Sequence, residues 1–263
     1  MTIYAGPEIV NSGLVLCLDA ANPRSYSGSG TTWSDISGRG NNGTLTNGPT
    51  FSSSNGGNNV FDGIDDYAEV TTRNTNLEFQ PQNSFTLSVW IKTNTLLPSF
   101  TSGAIISNMV AAPPYSGYDL WFNGSNQIAC HLISVWSNNA VKVKVDYNYS
   151  NFFNQFRMIS VSYDGSSPTT LPGMLNSMNF YNDGVLNTLG KAEGSAGVDG
   201  FDSTSTTITY SIDQRFRVGS RWNSSAWSQG SAVVVGNILI YNRALTAQEV
   251  RQNFEATRDR YGI

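Results

Sequence analysis

Charge is scarce in this sequence: Asp, Glu, Lys and Arg make up 13% of its 263 residues, and the net charge is −4. No basic field exists to draw nucleic acid or an anionic membrane surface to the chain, so neither is expected as a partner. Long hydrophobic runs are also missing, and none approaches the roughly 20 apolar residues that span a bilayer. The opening residues Met1 to Val10 (MTIYAGPEIV) have neither the basic region nor the long apolar region of a secretory signal, so no signal peptide is expected and the chain should start out in the cytoplasm. There is one histidine, His131, which excludes a His-rich zinc site. Two cysteines, Cys17 and Cys130, are too few for a disulfide scaffold in so long a chain. Both lie in apolar runs and read as buried thiols, with a single bridge between them as the alternative.

The sequence is rich in short strand patterns divided by Gly, Ser, Asn and Pro clusters, as a sandwich or jelly roll requires. In Phe85 to Lys92 (FTLSVWIK), Phe85, Leu87, Val89 and Ile91 share one face and Thr86, Ser88, Trp90 and Lys92 the other. Ala140 to Asp146 (AVKVKVD) alternates valine with lysine and predicts a strand at an edge or on a solvated face. Phe156 to Tyr163 and Met178 to Val185 read as a pair, with Asp183-Gly184 supplying the positive φ of a tight hairpin. Ser231 to Tyr241 (SAVVVGNILIY) is apolar enough to be a central strand covered on both faces. A single helix is predicted, near the C-terminus. Thr246 is its N-cap, Glu249 completes a capping box, Leu245 and Val250 form a staple, and Val250, Phe254 and Tyr261 face inward.

The stretch Leu14 to Phe51 (LVLCLDAANPRSYSGSGTTWSDISGRGNNGTLTNGPTF), then VFDGIDDYAEV, FTLSVWIK and the ending IYNRALTAQEVRQNFEATRDRYG, resembles laminin-G-like domains of the concanavalin A-like lectin/glucanase superfamily. The resemblance runs from about Leu14 to Gly262. It implies an all-β concanavalin A-like (LamG) β-sandwich or jelly roll with a short C-terminal helix. One domain over 14–263 is expected, preceded by an extended arm over 1–13 that could dock to a neighbouring protein. Met109 to Tyr115, Asn148 to Asn154 and Lys191 to Thr207 read as loops particular to this chain.

Glucanases of the superfamily carry a Glu-x-Asp-x-Glu or Glu-x-Asp-x-x-Glu strand that places two carboxyls on one side of a sheet. This sequence has neither motif, and no Gly-x-Ser-x-Gly elbow on a strand-to-helix turn, so it is not expected to be an enzyme. His131 sits in an apolar run (IACHLISVW) and reads as a packed or sheet-face residue. The superfamily resemblance points to calcium as the one ion to consider, with Asp19, Asp62, Asp65 and Asp66 as ligands; local Asp-Gly turn bonding is the competing reading. Sugar faces stack on aromatic rings, which makes Trp222, Trp227, Tyr115 and Trp136 the glycan-binding candidates, with Trp33 and Trp121 behind them.

The first 50 residues further resemble chains found in structural proteins of tailed, especially marine and cyanobacterial, bacteriophages. That resemblance implies a virion protein assembled in the host cytoplasm and displayed in multiple copies as capsid decoration, head fibre or tail adhesin. Its partners would be other capsid or tail proteins and a host-surface polysaccharide. A cellular carbohydrate-binding or adhesion module is the alternative, and a glycoside hydrolase comes last.

Overall fold

The computed structural model describes residues 7–70, 75–93, 103–111, 115–123, 127–135, 139–146, 155–166, 171–188, 215–221 and 230–263. Within them the chain forms two antiparallel sheets of eight strands each. The first sheet runs in the order β14 (Val185–Asn187), β13 (Met178–Asn182), β12 (Arg157–Tyr163), β7 (Phe85–Lys92), β16 (Ala232–Tyr241), β5 (Asn58–Asp62) and β4 (Thr50–Ser52). β1 (Leu14–Asp19) also pairs with β16, taking residues 237–241 of that strand while β5 takes 232–235. The second sheet runs β11 (Asn139–Asp146), β10 (Gln127–Val135), β9 (Gly117–Asn123), β8 (Gly103–Met109), β15 (Arg217–Val218), β6 (Tyr67–Val70), β3 (Gly43–Thr46) and β2 (Thr32–Trp33). The chain is therefore the all-β sandwich its strand patterns predict.

Alternation along each strand sorts side chains between faces. Leu87, Val89 and Ile91 of β7, Ile159 and Val161 of β12 and Ile238 and Ile240 of β16 meet Tyr118, Leu120, Phe122, Cys130 and Val143 of the second sheet in one buried cluster. Trp33 lies in this cluster with no exposed surface, so it packs between the sheets and is not a sugar platform. β16 is central, as its run of apolar residues requires, and β11 is an edge strand. The hairpin from β13 to β14 turns at Asp183 and Gly184, with φ of 51° and 75°. A second helix, α1 (Leu171–Ser177), is too short for a helical period to reveal it in the sequence.

The outward face of the first sheet is sealed. Helix α2 (Ala247–Thr257) is capped as its sequence predicts, with Thr246 and Glu249 bonding each other's backbone amides. It lays Val250 and Phe254 on Trp90, Met158, Tyr181 and Leu239. Trp90 stacks between Phe254 and Tyr261, and its Nε1 donates to Thr257 Oγ1 at 2.8 Å. Gly236 makes room for this layer, because a Cβ there would collide with the Tyr261 hydroxyl. The hydroxyls that alternation turns outward do not meet water either. Thr86 Oγ1 donates to Arg243 O and accepts from Leu245 N, and Ser162 Oγ donates to Leu245 O.

The segment expected to be a docking arm is part of this seal over residues 8–13. Val10 N donates to Asn253 Oδ1, Asn253 Nδ2 to the Tyr241 hydroxyl, and that hydroxyl to Val10 O, which closes a ring of three buried hydrogen bonds. Gln252 Nε2 and Arg243 Nε donate to Glu8 O and Ser12 O. The rest of the expected arm, residues 1–6, lies outside the described residues. Cys17 belongs to the layer under α2 and Cys130 to the inter-sheet core, so the thiols sit on opposite sides of the first sheet and stay unbridged. Burial pushes the Cys17 thiol up to about 12, with the nearby Asp19 and Asp35 charges adding to the shift.

The helix start makes a pH-dependent prediction. Glu249 accepts two hydrogen bonds from Arg243 and one from the Thr246 amide, and its carboxyl is held down to about 2, chiefly by Arg243. A depressed carboxyl contributes stability that is present above its ordinary value near 4.5 and is lost as pH falls toward 2. Glu249→Gln should cost about 1 kcal/mol at neutral pH, kept small by partial exposure. Urea denaturation should show the gap to wild type closing across that window; a gap that does not change with pH would contradict this account.

Candidate ligand-binding face

The outward face of the second sheet is built differently. Its register aligns Lys142, His131, Asp119, Ser107, Arg217, Glu69, Thr44 and Thr32 in one row that crosses all eight strands. Alternation hides such a row in the sequence: Asp119 stands between the core residues Tyr118 and Leu120, and Arg217 between Phe216 and Val218. Apolar rows flank it on β8 to β11. On one side are Ala104, Trp121 and Ala129, and on the other Met109, Ile133 and Ala140 with Tyr115 packed on them. From Lys142 to Glu69 each member is at most 7% exposed. Lys142 was expected to meet water, but it is buried beside His131 at the end of the row.

Charge is paired along this row. Asp119 Oδ1 lies 2.8 Å from His131 Nδ1, and its Oδ2 accepts from Arg221 Nε at 2.8 Å with Arg221 NH2 at 2.6 Å. Burial by itself would raise the Asp119 carboxyl; Arg221 and His131 more than offset that and hold it below the usual carboxylate range. Arg221 lies over the Trp121 ring, 4.0 Å from its centroid, and its backbone carbonyl accepts from Arg217 NH1, 3.2 Å away. Glu69 Oε2 accepts from Arg217 Nε at 2.8 Å, and Oε1 accepts from Arg215 NH1 at 2.7 Å. Arg217 in turn stacks 4.1 Å from the Tyr67 centroid. Aromatic rings and forked guanidinium groups therefore lie together on a rigid sheet.

This arrangement does not match the hydrolytic templates. Asp119 stands between Ser107 and His131, which puts serine and histidine two strand spacings apart, roughly 10 Å, beyond nucleophile-to-base reach. Glu69 and Asp119 are three spacings apart, roughly 14 Å, wider than either geometry of paired glycosidase carboxylates.

Of the residues singled out from the sequence, Tyr115 is half-buried on this face at a φ of 60°, an unusual conformation for a bulky residue, at the end of the β8–β9 connection. Trp121 is on the face as well. Trp136, Trp222 and Trp227 lie outside the described residues. Asp62, Asp65 and Asp66 come together in the turn between β5 and β6, with carboxylate oxygens within 4.8 Å of one another. Asp62 Oδ1 accepts the Ile64 and Asp65 amides and Asp66 Oδ2 the Asp62 amide, the bonding of a local Asp-Gly turn. Burial raises the Asp66 carboxyl, and the charges of Asp62 and Asp65 push it further against the hydrogen bond it accepts. Hard carboxylate oxygens at this spacing are the donor type calcium takes. Asp19 does not join them. It faces Asn237 on β16 whereas Asp62 faces Ala232, and Arg260 NH1 holds it at 2.7 Å.

The two-sheet sandwich with one sealed face is the lectin-like architecture, and the family model confirms the class. The Laminin_G_3 family, of the concanavalin A-like lectin/glucanases superfamily, matches residues 61–251. The chain belongs to that family. No curated protein matches the sequence. Among solved structures it is similar to the binding domain of botulinum neurotoxin serotype D, at 15% identity and a TM-score of 0.62, covering 94% of this chain and 52% of that one. It is also similar to the binding domain of Paraclostridial Mosquitocidal Protein 1, at 16% identity and a TM-score of 0.60, covering 92% of this chain and 52% of that one. Trypanosoma rangeli sialidase in complex with sialic acid matches at 17% identity and a TM-score of 0.59, over 94% of this chain and 33% of the enzyme. The chain thus spans about half the length of the toxin domains and a third of the sialidase, and at these identities the likeness is one of fold.

The paired charges predict a strong asymmetry in mutants. Asp119→Ala strands Arg221 in a buried site and should cost about 3–5 kcal/mol by chemical denaturation. The double variant Asp119→Leu with Arg221→Met should recover most of that loss. A single variant as stable as wild type would show that the pair does not organise the face.

Proposed function

We propose that this chain is a non-enzymatic carbohydrate-binding module, displayed in multiple copies on the outside of a tailed-bacteriophage particle where it meets host-surface polysaccharide. One observation carries the binding reading: the second sheet's outer face gathers arginines and aromatic rings on rigid strands, with Arg215 half-exposed and Tyr115 half-buried beside the buried pairs, whereas helix α2 lies over the first sheet's. Membership in a lectin-fold family supports it, and so do fold neighbours that include toxin binding domains and a sialidase with bound sialic acid. The wide separation of Glu69 and Asp119 favours binding without hydrolysis. The virion setting is supported by the resemblance of the first 50 residues to phage structural proteins. Display in many copies would turn weak sugar contacts into useful avidity.

The purified chain should bind at least one polysaccharide in a panel of bacterial surface glycans and release no reducing sugar from it. Tyr115→Ala should weaken that binding about tenfold, the worth of one ring contact, with the fold intact. Gold-labelled antibody should decorate particles of the source phage. Absence of glycan binding would refute the binding reading, and unlabelled infectious particles would leave a cellular module in its place.

A further inference from the structure

Within the reading of the second sheet's outer face as a glycan surface, we infer that Arg215 receives the carboxylate of an acidic sugar, so that the preferred ligand is a carboxylated polysaccharide. The argument begins with Glu69, whose side chain is 8% exposed and serves two arginines. Arg217, itself 7% exposed, already answers that carboxylate with Nε at 2.8 Å and NH2 at 2.7 Å on Oε2. Arg215 is therefore a cation in excess of the pair. It donates NH1 to Oε1 at 2.7 Å, and Glu69 is its one hydrogen-bond partner among the described residues. Its side chain is 52% exposed. One nitrogen bonded to a buried anchor fixes the direction of the guanidinium, and its other donors form a planar fork toward solvent. An exposed arginine normally loses side-chain entropy when it grips an anion; the Glu69 tether has already restricted this one.

The surroundings fit an anionic sugar. Among the described residues Arg221 and Arg217 on this face are matched by Asp119 and Glu69, which leaves Arg215 as the cation added to those two pairs. Arg217 pairs with Ser107, so Arg215, two residues before it, precedes β15 toward the Met109 end of β8, where the cluster of Met109, Ile133 and Ala140 carries Tyr115. A half-buried ring and a tethered guanidinium thus lie at the same end of the sheet, one suited to a pyranose face and the other to its carboxylate. Removing Arg215 leaves Glu69 held by Arg217, so the fold does not depend on it.

The test is calorimetric titration of the full chain with alginate oligosaccharides, a neutral β-glucan of similar length and dextran sulfate. Alginate should bind best, with an affinity that falls as salt rises. Arg215→Gln should weaken alginate binding about tenfold or more, the worth of a charge-assisted hydrogen bond, with the thermal midpoint unchanged. Arg215→Lys should retain part of the affinity, since it keeps the charge and loses the fork. Equal binding of alginate and neutral glucan, stronger binding of dextran sulfate, or alginate binding indifferent to Arg215→Gln would each overturn the inference while sparing the glycan reading. Failure of the wild-type chain to bind any saccharide in the wider glycan panel would overturn both.

Discussion

Asp119 is a carboxylate with no exposed surface, shared between His131 and Arg221, and the outer face of the second sheet is organised around it. A buried charge is tolerated only when its lone pairs are answered. Answering them draws Arg221 back from the segment after β15 to lie over Trp121. The same logic operates at Glu69, where Arg217 supplies the buried partner and Arg215 the outer one. Apolar rows on both sides of the row on β8 to β11 keep the Asp119 pairs in a low-dielectric strip, which strengthens them.

The two outer faces of the sandwich follow from what the chain lays on each. On the first sheet the hydroxyls of Thr86 and Ser162 serve the connection into α2, and Trp90 fills the space beneath the helix. That face is covered by aromatic stacking and by the Asn253 ring of hydrogen bonds, and it has no surface left for a ligand in the region under the helix. On the second sheet the corresponding positions hold guanidinium groups and rings. The first sheet's face is closed by apolar and aromatic packing, and the second's holds charge pairs that are themselves buried, with Arg215 half-exposed and Tyr115 half-buried beside them.

Much of the fold was legible because it rests on local rules. Alternation in Phe85 to Lys92, the Asp183-Gly184 hairpin and the Thr246 capping box are short-range patterns, and each appears in the structure where the residues place it. The polar row was not legible, because its members come from eight strands and are brought together by register, which one strand's sequence does not reveal. Lys142 shows the difficulty: valine-lysine alternation identifies an edge strand correctly, yet the lysine, across from His131, is buried. Asp19 and Asp62 show it from the other side. Both flank β16, but at positions five residues apart along it, so proximity to a common strand does not make them one site.

The most direct test of the central claim, that ligand is received on the second sheet's outer face, is amide hydrogen exchange on the full chain with and without a polysaccharide it binds. Added protection should concentrate in residues 115–121, 127–133 and 215–221. Protection confined to β1, β16 and helix α2, with those segments unchanged, would contradict the account.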